Sequence, residues 1–253
     1  MNPISKLLLL LAAIAHFIAP ALPAFGIGEN VGSRAVVDGI PPELPPGLFF
    51  TIWSVIFLGY VVIAIVHLRS PDHATHQIAM PLALAGFGNV IWMLSAQSIG
   101  SVWLDFLLLL PILYFAWLAA RRLDQTLAYD GTARSILYGL TVGLLAGWLT
   151  VAVSISVPDV GRMLLDRGTS DSVWQSLWMA LVPATGLAYI FANYISRNGW
   201  YFVALGWGLT GIVMNNWDRL GTHWLAVVAA ILGVNILYRR MRLGARGSYP
   251  AKP

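Results

Sequence analysis

The chain contains no cysteine, and only 10% of its 253 residues are charged. The first absence excludes disulfides, thiolate metal sites and a cysteine nucleophile. The second excludes an ordinary soluble domain, which dresses its surface with roughly 25% charged residues. Phosphate-binding loops, zinc-ligand spacings and the serine-hydrolase elbow are missing too. So is the alternating apolar/polar pattern of a membrane β-barrel. What is present is apolar bulk: 58% hydrophobic residues, with 11 tryptophans. The net charge of +4, from 15 basic and 11 acidic residues, is too small to indicate a nucleic-acid partner.

A membrane helix needs about 20 consecutive, mainly apolar residues. Eight segments approach that length: 7–27, 47–67, 78–98, 101–120, 135–157, 173–195, 199–216 and 222–238. They predict an all-α, polytopic transmembrane bundle of eight helices. An even number of spans places both termini on one side. That side receives 11 of the 15 Lys and Arg residues, and the other receives Arg34, Arg162, Arg167 and Arg219. The positive-inside rule then puts both termini in the cytoplasm. Residues 1–24 also read in part as a signal peptide, although Leu22 fits the cleavage pattern poorly. Cleavage would leave seven spans and the same C-terminal side.

Two connections are long, 28–46 and 158–172. The first is acidic (Glu29, Asp38, Glu43) and ends in Pro41-Pro42-Glu43-Leu44-Pro45-Pro46. It stands open as a lid or as a tether, and helix 2 should start sharply after Pro46. The second, with Asp159, Arg162, Asp166, Arg167 and Asp171, reads as a solvated mixed-charge face. The basic tail 239–253 reads as held near anionic lipid through Arg239, Arg240 and Arg242. Val234, Tyr238 and Arg240 fit a loose cholesterol motif and equally an interfacial anchor.

Ionisable groups inside the spans are few: His16, Asp105, and His67 and His223 at helix ends. No chain of such groups points to a proton pump or ion-coupled transporter. The last span has no lysine for a retinal Schiff base. His16 lacks a partner for bis-histidine haem ligation and reads as a packing residue. Gly139, Gly143 and Gly147 make two overlapping G-x-x-x-G steps, an internal seam or a dimer seam.

Depth sorts the tryptophans. Trp103, Trp117, Trp174, Trp178, Trp200, Trp217 and Trp224 lie near predicted helix ends and suit the interfacial belt. Trp92, Trp148 and Trp207 lie deeper, and Trp53 is intermediate. A deep indole N–H needs a polar partner. Phe50, Trp53, Phe57 and Tyr60 form one aromatic stripe, Asn89 shares a face with Trp92, and Trp148, Ala152 and Ser156 share another. Interhelical aromatic packing and a cavity for a flat apolar ligand both fit these residues.

The same residues carry a resemblance. Leu44-Pro45-Pro46-Gly47 followed by Phe50-Thr51-Ile52-Trp53 resembles the start of the second helix, a Pro-Pro pair followed by F-x-x-W, in the tryptophan-rich sensory protein (TspO/MBR, translocator protein, peripheral benzodiazepine receptor) family. Asn89-Val90-Ile91-Trp92, Trp103-Leu104 and Trp148-Leu149-Thr150-Val151-Ala152 fall in matching order. The likeness implies a five-helix unit over 1–157, a three-helix extension over 158–238 similar to longer bacterial members, and a basic tail over 239–253. It implies a bacterial inner-membrane receptor or carrier for a tetrapyrrole (porphyrin or haem) or a sterol-like lipid, often dimeric, with a sensory or transport role. Its ligand-binding residues carry over as Trp53, Phe57, Asn89, Trp92, Trp148 and Ala152. In that picture Trp53 and Trp148 clamp a flat face and Asn89 supplies a polar contact. A porphyrin-degrading enzyme and an assembly subunit of a larger membrane complex remain as alternatives. Phe57 stands where the family often has Tyr, Leu144 and Leu145 replace a common Pro-Tyr pair, and Ser156 replaces a frequent Asn. Each change removes polarity from the expected pocket.

Overall fold

The computed structural model describes residues 3–29, 40–126, 132–168, 173–218 and 222–243. It forms eight α-helices: α1 Pro3–Ile18, α2 Ile52–Arg69, α3 His73–Ser98, α4 Val102–Thr126, α5 Ala133–Leu165, α6 Val173–Ile190, α7 Trp200–Asn215 and α8 Thr222–Leu243. The described residues include no strands. A 3-10 segment, Ala19–Phe25, prolongs α1, and another, Gly47–Thr51, follows Pro46 and leads into α2. Six helices are long and apolar enough to cross a membrane. At 16 residues, α7 spans only about 24 Å, short of a hydrocarbon core about 30 Å thick. The apolar part of α8, His223–Tyr238, is similarly short.

Local chemistry sets the helix boundaries. Asp72 and Thr75 close a reciprocal capping box at the start of α3. The Thr132 side chain caps α5. Gly26, at φ 77°, stops the segment after α1 in a left-handed conformation that suits glycine. Pro81, Pro111, Pro158 and Pro183 all lie inside helices. Neighbouring helices in a membrane bundle re-satisfy the carbonyls that such prolines free.

The core is one apolar cluster with α5 at its centre, packed against α2, α4, α6 and α7. The segment once open to a signal-peptide reading is built into this core. α1 packs on α2 and α3, and the Ala19 carbonyl accepts a hydrogen bond from the buried Gln97 amide at 3.1 Å.

Polar contacts join alternate connections at opposite ends of the bundle. At one end Arg134 pairs with Asp72 at 3.2 Å, and Arg197 pairs with Asp124 at 3.1 Å. These bonds tie the α2–α3, α4–α5 and α6–α7 turns together, beside the start of α1, where Ser5 meets His67. The serpentine path read from eight hydrophobic segments is therefore the path of the chain. Asp72 is the hub of this end. Burial alone would raise its carboxyl pKa, but bonds from the Thr75 backbone N–H, the Tyr138 and Thr75 hydroxyls and Arg134 hold it below the ordinary range. A carboxylate depressed by folding stabilises the fold above its unfolded pKa and loses that contribution as pH falls. Wild type should thus be more heat-stable than Asp72→Asn at pH 6, and the gap should begin to narrow once pH drops below about 4 and vanish only below the depressed folded value. Thermal scans of both proteins in detergent check this, and a gap unchanged at pH 3 contradicts it.

Two sequence readings are revised here. The fifth segment, read as 135–157, is helical from Ala133 to Leu165, so α5 continues into what was read as the 158–172 connection. Asp159 and Arg162 are consequently helical and not part of a loop. Arg162 is buried, because it is the cation for Glu43 and Asp159 and donates to the Ser176 hydroxyl at 2.9 Å. The face read as solvated mixed charge is at this point an interior ion-pair cluster. Arg34, Asp38, Asp171, Arg219 and the tail beyond residue 243 lie outside the described residues, and so do the side chains of Arg239, Arg240 and Arg242.

The glycine seam is internal. A β-carbon on Gly143 would meet Asn198 and Trp200, and one on Gly147 would collide with the Tyr201 carbonyl oxygen and Ala204. The Asn198 amide donates to the Gly139 carbonyl at 2.7 Å. All of these partners lie at or just before the start of α7, so α7 occupies the groove that a second chain would have used. Gly147→Ala should cost about 1–3 kcal/mol through overpacking against backbone. Denaturant titration of the purified variant measures it.

Candidate ligand site

The aromatic stripe of α2 divides between two neighbours. Phe50, in the 3-10 turn, meets Trp148 edge-on with ring centroids 5.5 Å apart. Trp53 stacks on Phe57 at 5.4 Å, and Phe57 stacks on His16 of α1 at 4.5 Å with planes 12° apart. Tyr60 closes the group edge-on to His16 at 4.6 Å and donates its hydroxyl hydrogen to the Leu82 carbonyl at 3.0 Å. Trp53 is half-buried at the outer end of this stack, while Phe57, His16 and Tyr60 are buried behind it.

α3 completes the site through a close approach. A β-carbon on Gly86 would lie 3.1 Å from the Tyr60 ring and 3.2 Å from His16, so glycine lets α3 press against the stack. One turn on from Gly86 stands Asn89, fully buried, and one turn further Trp92. Among the described residues neither amide atom of Asn89 has a hydrogen-bond partner. The same holds for the Trp92 indole N–H and for both ring nitrogens of His16. Nearly all buried polar groups in folded proteins are paired, so these atoms are exceptions to the rule.

The structure thus brings Trp53 and Phe57 together and places Asn89 and Trp92 on the neighbouring α3 face. Trp148, on α5, is buried against Phe50, with Ala152 one turn further along α5. Its ring partner is Phe50, edge-on, and that of Trp53 is Phe57, stacked. His16 is the residue that sequence reasoning undervalued. It was the only ionisable side chain deep in the first segment, and that was the available signal. Trp117 also departs from the belt: its indole N–H is buried and has no partner among the described residues, and its ring meets Phe191 at 5.8 Å.

Trp207, deep and unexplained in the sequence, has a clear role. Its indole N–H donates to the Phe49 carbonyl at 2.7 Å, and its ring packs on Phe49 at 4.7 Å. Nearby, Asn215 and Asn216 donate to the Pro41 and Pro42 carbonyls at 2.8 and 2.6 Å. With Glu43 on Arg162, these bonds make residues 41–49 a strap fixed to α5 and α7. The middle of the 28–46 connection, 30–39, lies outside the described residues.

An all-α bundle with six helices long and apolar enough to cross a membrane defines a class: polytopic helical membrane proteins. Residues 6–238 match the family model described as TSPO-like protein, and the chain belongs to that family. Neither a curated protein nor a solved structure matches it.

Proposed function

We propose that this protein is a membrane receptor or carrier for a flat, largely apolar ligand with polar edges, of the tetrapyrrole or sterol-like class. One observation carries the reading: Asn89, Trp92 and His16 hold buried, unpaired polar atoms on the helix faces that meet at the stack. An apolar ring system would extend the stack from Trp53, while carboxylate or hydroxyl groups on its rim would satisfy those atoms. Family membership supports the same reading. With α7 in the glycine groove, a homodimer would use another face. The 11:4 distribution of basic residues supports cytoplasmic termini in a bacterial inner membrane.

The test is titration of a soluble porphyrin into purified protein, read by tryptophan fluorescence. Saturable quenching is expected. Asn89→Leu should weaken it by up to about tenfold, the loss of one good hydrogen bond. Quenching that never saturates, or an affinity unchanged in Asn89→Leu, would overturn the assignment.

A further inference from the structure

A second cavity lies apart from the stack, among α5, α6, α7 and α8, with a volume of about 410 Å³. We infer that it holds a single acyl chain of a bilayer lipid. The wall is aliphatic and small, including Leu177, Ala184, Gly206, Leu209 and Gly233. Neither Gly206 nor Gly233 would bring a β-carbon within 4 Å of another group, so both face open space. The wall runs on α7 from Phe202 to Asn216 and on α8 from Leu225 to Leu237. At 1.5 Å per residue that is a length of about 18–21 Å.

Spread over that length, the volume leaves a channel wide enough for one hydrocarbon chain and too narrow for a planar macrocycle. The lining has one aromatic residue, Phe202, where a site for stacked rings would have several. The polar lining residues are Ser154, Thr185, Thr210 and Asn216; Ser154 and Thr210 donate to carbonyls of their own helices, while Asn216, at the end of α7, also holds the Pro42 carbonyl of the strap. A chain lying along α7 would reach past Leu209 into the aliphatic part, with its ester end beside Asn216. The occupant is at hand, because the cavity lies within a bundle that crosses the bilayer and lipid tails are as apolar as its walls. α8 closes the channel, packing on α6, on the π-helical turn Phe191–Ile195 that continues α6, and on α7, at the edge of the bundle where a chain can enter from the membrane.

The experiment reconstitutes the whole chain in nanodiscs containing a phospholipid with a photoreactive diazirine near the end of one acyl chain. After illumination the labelled peptides are mapped by mass spectrometry. Labels are expected to concentrate around Ala184, Gly206 and Gly233. Gly206→Leu with Gly233→Leu, which fills the channel, should lower them roughly tenfold, the equivalent of 1.4 kcal/mol. Both substitutions raise helix propensity at positions with free space, and the map of the unsubstituted protein stands independently of them. Three results would overturn the inference: labelling no stronger there than on exposed Leu107 and Leu110 of α4, labelling unchanged in the filled variant, or preferential labelling by a photoreactive sterol.

Discussion

Replacing Arg162 by methionine is expected to destabilise the protein by about 3–5 kcal/mol, the usual consequence of leaving a buried charge without its partner. Arg162 and Glu43 are 8% and 1% exposed, and Arg162 also serves Asp159 and Ser176. One Glu43 oxygen already has no other partner among the described residues. Without the guanidinium, Glu43 must take up a proton or leave its place, and with it goes the fixed start of α2. Asp159 is 42% exposed and can turn to water, so its share of the loss is small. The double variant Arg162→Met with Glu43→Leu should recover most of the stability, since apolar groups can replace a buried pair at little cost. Denaturant unfolding of wild type, single and double variants in detergent measures the cycle. A single variant within 1 kcal/mol of wild type would show that the cluster is not buried as described.

Asn89→Leu should change stability in the opposite direction. An unpaired buried polar atom costs about 1–3 kcal/mol, and Asn89 carries two of them. Leucine has a similar shape and no such atoms, so the variant should be more stable than wild type by about 2 kcal/mol or more in the absence of ligand. The same substitution weakens porphyrin binding in the titration above. A gain in stability joined to a loss in affinity is the signature of a residue retained for function at the expense of the fold. Were Asn89 a structural residue, both quantities would fall together. Unfolding curves with and without porphyrin separate the two cases, because bound ligand should stabilise wild type more than the variant.

Hydropathy made the helices legible in the sequence. All eight segments are helices, and the sharp start after Pro46 appears as the 3-10 turn that precedes α2. The reason is physical: backbone groups in lipid must pair internally, so a long apolar run has essentially one conformation open to it. The C-terminal end of α5 was not legible, because Pro158, Asp159 and Arg162 read as loop signals. Their place in the helix depends on Glu43, 119 residues away from Arg162. The candidate site was half legible. Trp53, Phe57 and Asn89 stood out by type and spacing, and the structure sets Trp53 and Phe57 in contact. The contribution of His16 was hidden because stacking on Phe57 is a contact between helices, which periodicity along one helix does not report. The same limit applied to Trp148, whose depth was correctly read while its neighbour, Phe50, was not.

The strap also sets a timetable for biogenesis. Asn216 and Pro42, which it joins, are separated by 174 residues. At synthesis rates of roughly 5–20 residues per second, about 9–35 s pass between the appearance of the proline and that of its asparagine. During that interval α2 to α7 emerge with the approach to α2 unfastened, and the Gly143 and Gly147 groove of α5 stays uncovered until the start of α7 follows. Helix insertion is therefore sequential, but closure of the molecule is a late event, triggered by the arrival of α7. A ribosome stalled before α7 would leave Pro42 and the Gly143 and Gly147 groove without the partners that α7 brings.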